Sequence, residues 1–193
     1  MKPVLGVRIK SGWAAAVLLG GSREQPLVLD ARRVELSDPG EPATRQPHHA
    51  GAGTPQRDAR VLGQRIELIE RCALENAARL LDEYRAAGRA PDAAAIVATS
   101  DTDPATIRNP HIRIHALEGR LFRRVAEEGL AAAGLRCSVL LERTLQAEAP
   151  ARLGRSGPEL SRALGRLKPG GGGPWRHEQK MAALAAWVGL GEP

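Results

Sequence analysis

Two histidines and a glutamate lie at helical spacing in the middle of the chain. His111, His115 and Glu118 stand at positions i, i+4 and i+7, which places their side chains on one face of a helix. Two imidazoles one turn apart can share a zinc ion, and a carboxylate can supply a third ligand. The set is not the H-E-x-x-H arrangement of zinc proteases, because no glutamate follows the first histidine. Arginines surround the set, so a solvated helical face is the alternative interpretation to a metal site.

Positive charge is concentrated in residues 151–180. This segment contains seven lysines and arginines against two glutamates, and Trp175 follows a run of glycines. Arginines near an aromatic ring on a flexible segment suit contact with nucleic-acid phosphates and stacking on a base. The glycines are not a phosphate-binding P-loop, since no G-K-[ST] follows them. The alternative is that Trp175 and Trp187 pack into the core, and we favour this for Trp187.

The composition of the whole chain favours a polyanionic partner. The 193 residues carry 28 Lys and Arg against 22 Asp and Glu, a net charge of +6. A GC-rich genome also encodes such an arginine-rich composition, so charge alone leaves the partner open. Two cysteines without C-x-x-C spacing argue against a disulfide scaffold or a cysteine-type zinc finger. No apolar run approaches the ~20 residues of a membrane span, and we expect one cytoplasmic domain over 1–193.

The elements that must position these residues follow from hydrophobic patterns. Three strand patterns at 4–9, 13–19 and 27–36, joined by tight turns, predict an antiparallel meander. The patterns that follow predict a helix at 58–88, a strand at 93–98, a helix at 109–133, a strand at 136–141 and helices at 159–167 and 175–190. The order βββαβαβα predicts an α/β fold with a mixed five-stranded sheet, its later strands parallel, flanked by helices.

Two stretches lack these patterns. Residues 38–57 are rich in proline and glycine and predict a long, solvated or flexible loop. Within it, His48 and His49 are interpreted as a surface pair rather than as metal ligands. Residues 169–174 predict a flexible glycine-rich linker before the last helix.

Three stretches of sequence carry a resemblance to a known family, in addition to their periodicity. They are V-L-G-V-R-I-K-S-G-W-A from Val4, the stretch from N-P-H-I at Asn109 to L-E-G-R at Arg120, and H-E-Q-K-M-A-A-L-A from His177. Together with the order of elements, they resemble the ribonuclease H-like superfamily, nearest to the bacterial Holliday-junction resolvase (RuvC) type. The resemblance covers most of the chain apart from 38–57. It implies a nucleic-acid partner and, in active members, Mg²⁺ or Mn²⁺ held by carboxylates.

The chain departs from that family at the centre of the implied site. The resemblance implies an aspartate in the middle of the first strand, where this chain has Arg8. It implies a second carboxylate near the end of the fourth strand, where 98–100 read Ala-Thr-Ser, and an acidic pair where His177 and Glu178 stand. Two-metal cleavage needs several converging carboxylates, and an arginine among them repels the cations. We therefore expect ordinary two-metal catalysis to be absent.

Acidic side chains at the implied strand ends support an alternative, enzymatic hypothesis. The fold implied by the resemblance brings Asp101, Glu142 and Glu178 close to Arg8 and Lys10. Such acids could hold one Mg²⁺ or Mn²⁺ in a metal-dependent nuclease with a rearranged site. The favoured interpretation is that the two glutamates pair with Arg8 or Lys10.

The sequence therefore predicts a nucleic-acid-binding protein of ribonuclease H-like fold that lacks the standard two-metal centre. The rearranged nuclease and a protein–protein adaptor are the alternatives, and a homodimer is left open. The residues predicted to contact nucleic acid are Arg8, Lys10, Arg113, Arg120, Arg124, Arg166, Trp175 and Arg176.

Overall fold

The structure is a computed structural model that describes residues 2–51, 54–170 and 172–191. Within these ranges, five strands form the main sheet in the order β3-β2-β1-β4-β5. Their bounds are β1 Val4–Lys10, β2 Trp13–Gly21, β3 Pro26–Glu35, β4 Ala93–Ala98 and β5 Arg136–Leu141. The first three strands form an antiparallel meander, while β4 runs parallel to β1 and β5 parallel to β4. The predicted α/β fold with a mixed five-stranded sheet is confirmed.

Helices cover both faces of the sheet. Their bounds are α1 Ala59–Ala86, α2 Pro110–Ala132, α3 Glu142–Arg152, α4 Gly157–Arg166 and α5 His177–Gly189. One apolar cluster joins α1 and α2 to one face of the sheet, and a second joins α3, α4 and α5 to the other. The helices α1 and α2 begin within one residue of the predicted starts at 58 and 109, and the side chains of Asp58 and Asn109 cap them by each accepting two backbone N–H bonds. None of the helices among the described residues is long and apolar enough to span a membrane.

The helix α3 was not predicted from the sequence. It begins at Glu142, directly after β5, and only Leu145 and Ala149 are buried along it. Two buried apolar residues make a weak helical pattern, and Pro150 lies inside the helix. Its position matters because it brings Glu142 to the end of the sheet.

The helix α5 lies directly against β1. A Cβ atom on Gly6 would lie 1.8 Å from the carbonyl oxygen of Ala182, so only glycine allows this approach. At the other end of the helix, a Cβ on Gly189 would lie 3.2 Å from Val4. The two contacts show that α5 runs antiparallel to β1. The first turn of α5 therefore lies beside the end of β1 that carries Arg8 and Lys10.

The segment 38–57 packs against the rest of the molecule in its described part. Pro42–Arg45 forms one 3₁₀ turn, and His49–Gly51 pairs with Thr54–Pro55. Thr44 is fully buried, and its hydroxyl accepts the backbone N–H of Asp38 at 3.0 Å. Thr44 and His49 are thus not solvated as the loop interpretation predicted, because Thr44 bonds within the segment and His49 bonds to Glu118 of α2. Residues 52, 53 and 171 lie outside the described residues, and the flexibility of 38–57 and 169–174 stays a prediction.

Candidate functional site

Arg8 lies in the middle of the sheet with its side chain only 5% exposed. Its Nη1 donates to the carbonyl of Ile9 at 2.8 Å, and its Nη2 donates to the hydroxyl of Thr99 at 3.2 Å and to the Glu142 carboxylate. The Nε atom is buried with no hydrogen-bond partner among the described residues. The guanidinium is therefore held inside the protein and does not offer a surface to a phosphate. This burial argues against a direct contact of Arg8 with nucleic acid, which stays a prediction.

Glu142 joins three elements at this end of the sheet. One carboxylate oxygen accepts from Arg8 of β1, and the other lies 2.7 Å from Nε2 of His177, in the first turn of α5. Nearby, Lys10 lies 3.8 Å from Glu178. Both glutamates thus pair with the basic residues that the sequence analysis named as their alternative partners.

The third predicted acid, Asp101, lies on the exposed loop after β4. Its neighbour Asp103 accepts the N–H of Ala105 at 3.1 Å and lies 3.8 Å from Arg120. Over the described ranges, Asp101, Glu142 and Glu178 do not form a group with ligand atoms close enough to share one metal ion. The rearranged carboxylate site of the enzymatic hypothesis stays a prediction.

A cleft of about 840 Å³ opens at the same end of the sheet, on the side of α2. The ends of β1 and β4, the loop after β4 and the first half of α2 form its walls. Thr99 connects the cleft to the buried site, since it contacts Arg8 and also lines the cleft. The charged or titratable residues along the walls are Lys10, Asp101, Asp103, His115, Arg120 and Arg123.

The structure separates the other predicted nucleic-acid contacts from one another. Arg113 is exposed and donates to the carbonyl of Ile107, and Arg176 is exposed just before α5. Arg124 is held on the outer side of α2, where it binds glutamates of α1 and of its own helix. Arg166 lines a different hollow, of about 500 Å³, together with Arg155. Only Lys10 and Arg120 of the predicted set line the cleft.

Both tryptophans of the C-terminal part have packing contacts. The indole N–H of Trp175 donates to the carbonyl of Leu164 at 2.7 Å, and its ring packs against the second apolar cluster. Trp187 is 1% exposed and donates to the carbonyl of Arg23 at 2.8 Å. The preference for a core position of Trp187 is confirmed. Base stacking by Trp175 stays a prediction, and its partial burial leaves less of the ring for a base.

The structure keeps His111 and His115 of the predicted metal-ligand set together, but it replaces Glu118 with His49 as the third residue. Nε2 of His111 and Nε2 of His115 lie 3.2 Å apart, one helical turn from each other as predicted. Glu118 lies behind them, fully buried, and its Oε1 is 2.7 Å from Nδ1 of His49. Burial raises the pKa of Glu118, and the hydrogen bond from His49 opposes that rise.

Sequence reasoning missed His49, which it placed on the surface. Its side chain is 9% exposed and belongs to the cluster with His111 and His115. Arg65 fixes the segment by donating to the carbonyls of Pro47 and His49. No periodicity links residue 49 to α2, so no signal in the sequence could have joined them.

Comparisons with known proteins agree with this architecture. A scan against protein-family models gives no match, and a search of curated protein sequences gives none. Among solved structures, Thermus thermophilus RuvC in complex with a Holliday junction substrate is similar, with a TM-score of 0.56 and 14% identity over 97% of this chain and 92% of that chain. A second Thermus thermophilus RuvC structure has a TM-score of 0.56 and 13% identity over 96% and 92%. The chain therefore has the ribonuclease H-like fold that these RuvC structures share.

Proposed function

We propose that this chain binds nucleic acid and that Arg8, Glu142 and His177 replace the standard two-metal centre of its fold. The observation that carries the proposal is the buried ion pair between Arg8 and Glu142 at the centre of the sheet. The resemblance stated above implies a metal-binding aspartate at the position of Arg8. A guanidinium keeps its proton in proteins, so it cannot take over the role of that aspartate.

The charges of the buried pair also oppose the binding of a metal ion. A divalent cation beside Arg8 meets a fixed positive charge in a poorly solvated place, where like charges repel strongly. To bind the cation through the oxygen that Arg8 holds, Glu142 would have to leave Arg8. Removing one partner of a buried ion pair costs about 3–5 kcal/mol, because the other charge remains buried and unpaired. Arg8 and Glu142 therefore favour each other over a metal ion.

The cleft supplies the surface for the proposed binding. Lys10 and Arg120 have side chains 43% and 64% exposed, and Arg123 stands on the same wall. Exposed basic side chains along a groove suit the phosphates of a nucleic-acid backbone. The likeness to RuvC bound to a Holliday junction substrate supports the same class of partner.

The proposal is tested with purified protein and four labelled substrates: a four-way junction, a DNA duplex, a single strand and an RNA–DNA hybrid. Each is incubated with Mg²⁺, with Mn²⁺ or with EDTA, and both retardation and cleavage are followed on gels. We expect retarded, intact substrates in all three conditions. Binding should weaken with salt, with a log–log slope of about −0.9 for each duplex phosphate neutralised.

Two results contradict the proposal in different ways. Cleavage that requires a metal ion would show that a nuclease centre persists and would favour the rearranged-site hypothesis. An absence of binding to every substrate at low salt would remove the nucleic-acid partner and favour the adaptor hypothesis.

A further inference from the structure

Three histidines meet where the segment 38–57 crosses the start of α2. The ligand atoms of His49, His111 and His115 all lie within 4.8 Å of one another. The rings are close as well, with centroids 4.6 Å apart for His111 and His115 and 5.2 Å apart for His49 and His115. Two of the rings come from α2, and the third comes from a chain segment far away in sequence.

A buried carboxylate orients one of these rings by a hydrogen bond and lies beside a second. Glu118 is fully buried, with one oxygen 2.7 Å from Nδ1 of His49 and the other 3.6 Å from Nδ1 of His115. The second oxygen has no hydrogen-bond partner among the described residues and faces that ring. With Nδ1 on the side of Glu118, Nε2 is the ring atom of His49 and His115 that remains for a metal ion; without a metal, Nε2 of His115 is hydrogen-bonded to Nε2 of His111. Histidines bound to a metal characteristically donate their other ring N–H to a carboxylate or carbonyl in this way.

The spacing of the nitrogens fits one small tetrahedral cation. With zinc–nitrogen bonds of about 2.0–2.1 Å, two ligands of a tetrahedral site lie roughly 3.3 Å apart. Nε2 of His111 and Nε2 of His115 are 3.2 Å apart. A set made only of imidazoles favours zinc over magnesium, which prefers oxygen ligands.

We propose that His49, His111 and His115 bind one Zn²⁺ ion and that Glu118 positions His49 through its hydrogen bond. Three protein ligands leave a fourth position for water, the composition of an open rather than a closed zinc site. His111 and His115 are exposed, and His115 also lines the cleft. The fourth position therefore faces solvent at the rim of the cleft. The site is separate from the Arg8–Glu142 pair, and it goes beyond the proposed function.

The test uses the full chain without a histidine tag, stripped of metal and titrated with Co²⁺ and then with competing Zn²⁺. Co²⁺ gives visible absorption bands whose intensity reports tetrahedral coordination. We expect one ion per chain in the wild type and loss of that binding in His49→Ala, His111→Ala and His115→Ala. Glu118→Gln should retain the site with an affinity about 10- to 100-fold lower, as for other residues that orient metal ligands.

His48→Ala and His177→Ala are the matched controls, because they remove the two histidines outside the cluster. Both should bind Co²⁺ like the wild type. His111→Ala is the decisive variant, since its side chain is exposed and its loss leaves the core intact. Unchanged circular dichroism of that variant separates loss of the metal from loss of the fold.

The proposal is overturned if the wild type takes up no Co²⁺ at micromolar concentration, or if His111→Ala binds it as well as the wild type does. Equal losses in the His48→Ala and His177→Ala controls would likewise show binding without a defined site. The readout involves no nucleic acid, so a failure here leaves the proposed function standing, and the converse also holds.

Discussion

An arginine buried as deeply as Arg8 requires negative charge beside it, because its guanidinium stays protonated. Glu142 provides that charge, and His177 occupies the second oxygen of the same carboxylate. Thr99 and the carbonyl of Ile9 accept further N–H groups. At the scale of single residues, the centre of the site is therefore a hydrogen-bonded ion pair built around Arg8, in which only the Nε atom of Arg8 lacks a partner among the described residues.

Removing Glu142 tests this view. We expect Glu142→Ala to lower the free energy of unfolding by about 3 kcal/mol, because it leaves Arg8 buried without a counter-charge. Urea denaturation of both proteins measures the change. Glu178→Ala is the control, since Glu178 and Lys10 form a looser, partly exposed pair 3.8 Å apart that should contribute at most about 1 kcal/mol. Equal effects of the two substitutions would contradict a special role for the buried pair.

The two cysteines give a prediction about pH. Burial raises the pKa of the Cys137 thiol to about 11, and burial also raises the pKa of Cys72. Since the thiolate is the reactive form, Cys137 should react with iodoacetamide much more slowly than a peptide cysteine of pKa about 8.5. Its rate should rise until the pH passes about 11. Alkylation followed by mass spectrometry measures both sites.

The raised pKa of Cys137 also makes the stability of the folded state depend on pH. Unfolding returns the thiol to its ordinary, lower pKa, so the folded state favours the protonated form. Its contribution to stability is complete below about pH 8.5 and is lost as the pH rises towards 11. Labelling of Cys137 at the peptide rate near neutral pH would show that the thiol is not buried.

At the scale of elements, the site depends on how closely α5 approaches β1. Gly6 and Ala182 are in backbone contact, and this contact places the first turn of α5, with His177 and Glu178, beside the end of β1. The antiparallel direction of α5 brings that turn to Glu142 as well. A helix displaced outward by a side chain would carry His177 away from its partner.

Gly6→Ala tests the close contact. The new Cβ would fall 1.8 Å from a backbone oxygen, so α5 or β1 must move. Overpacking of this kind costs about 1–3 kcal/mol, and more where backbone atoms are involved. Gly63→Ala is the matched control, because a Cβ at that position in α1 meets nothing within 4 Å. It should stabilise the chain by roughly 0.5–1 kcal/mol. Chemical denaturation of both variants should therefore give changes of opposite sign.

At the scale of the whole molecule, basic residues lie on separate surfaces. Lys10, Arg120 and Arg123 line the cleft on the side of α2, while Arg155 and Arg166 line a hollow beside α4. Net charge alone cannot distinguish these surfaces, since both would attract a polyanion. The proposed function places nucleic acid in the cleft rather than in the hollow beside α4. The end of the sheet and the loop after β4 form the walls of this cleft.

The two surfaces are compared by removing one exposed arginine from each. Arg120→Ala should weaken duplex binding and reduce the salt slope by about 0.9, the contribution of one phosphate contact. Arg166→Ala removes the same charge and should change neither quantity beyond a small nonspecific effect. Fluorescence anisotropy from about 50 to about 200 mM salt measures both. The reverse pattern would move the interface to the hollow beside α4.

Much of the architecture could be predicted from the sequence because its causes are local. The periods of the apolar residues, the caps at Asp58 and Asn109 and the glycine turns determine where strands and helices begin and end. The order of these elements then restricts the sheet to few topologies. The weak pattern of α3 escaped prediction, since its burial depends on neighbours brought by the fold. The arginine at the centre of β1 could also be read directly from the sequence.

Only the tertiary structure decided the contacts that sequence reasoning had not named. The fold brings His49 to Glu118, 69 residues later, and it adds His177 to the pair of Arg8 and Glu142, which the sequence had suggested. It also buried Glu118, which sequence spacing alone had presented as a metal ligand. Contacts of this kind arise when the sheet and its covering helices pack together, and no periodicity along the chain records them. The sequence by itself determined where the strands and helices form and which residue types stand at their ends. The packing of the sheet against its helices decided which distant side chains come into contact.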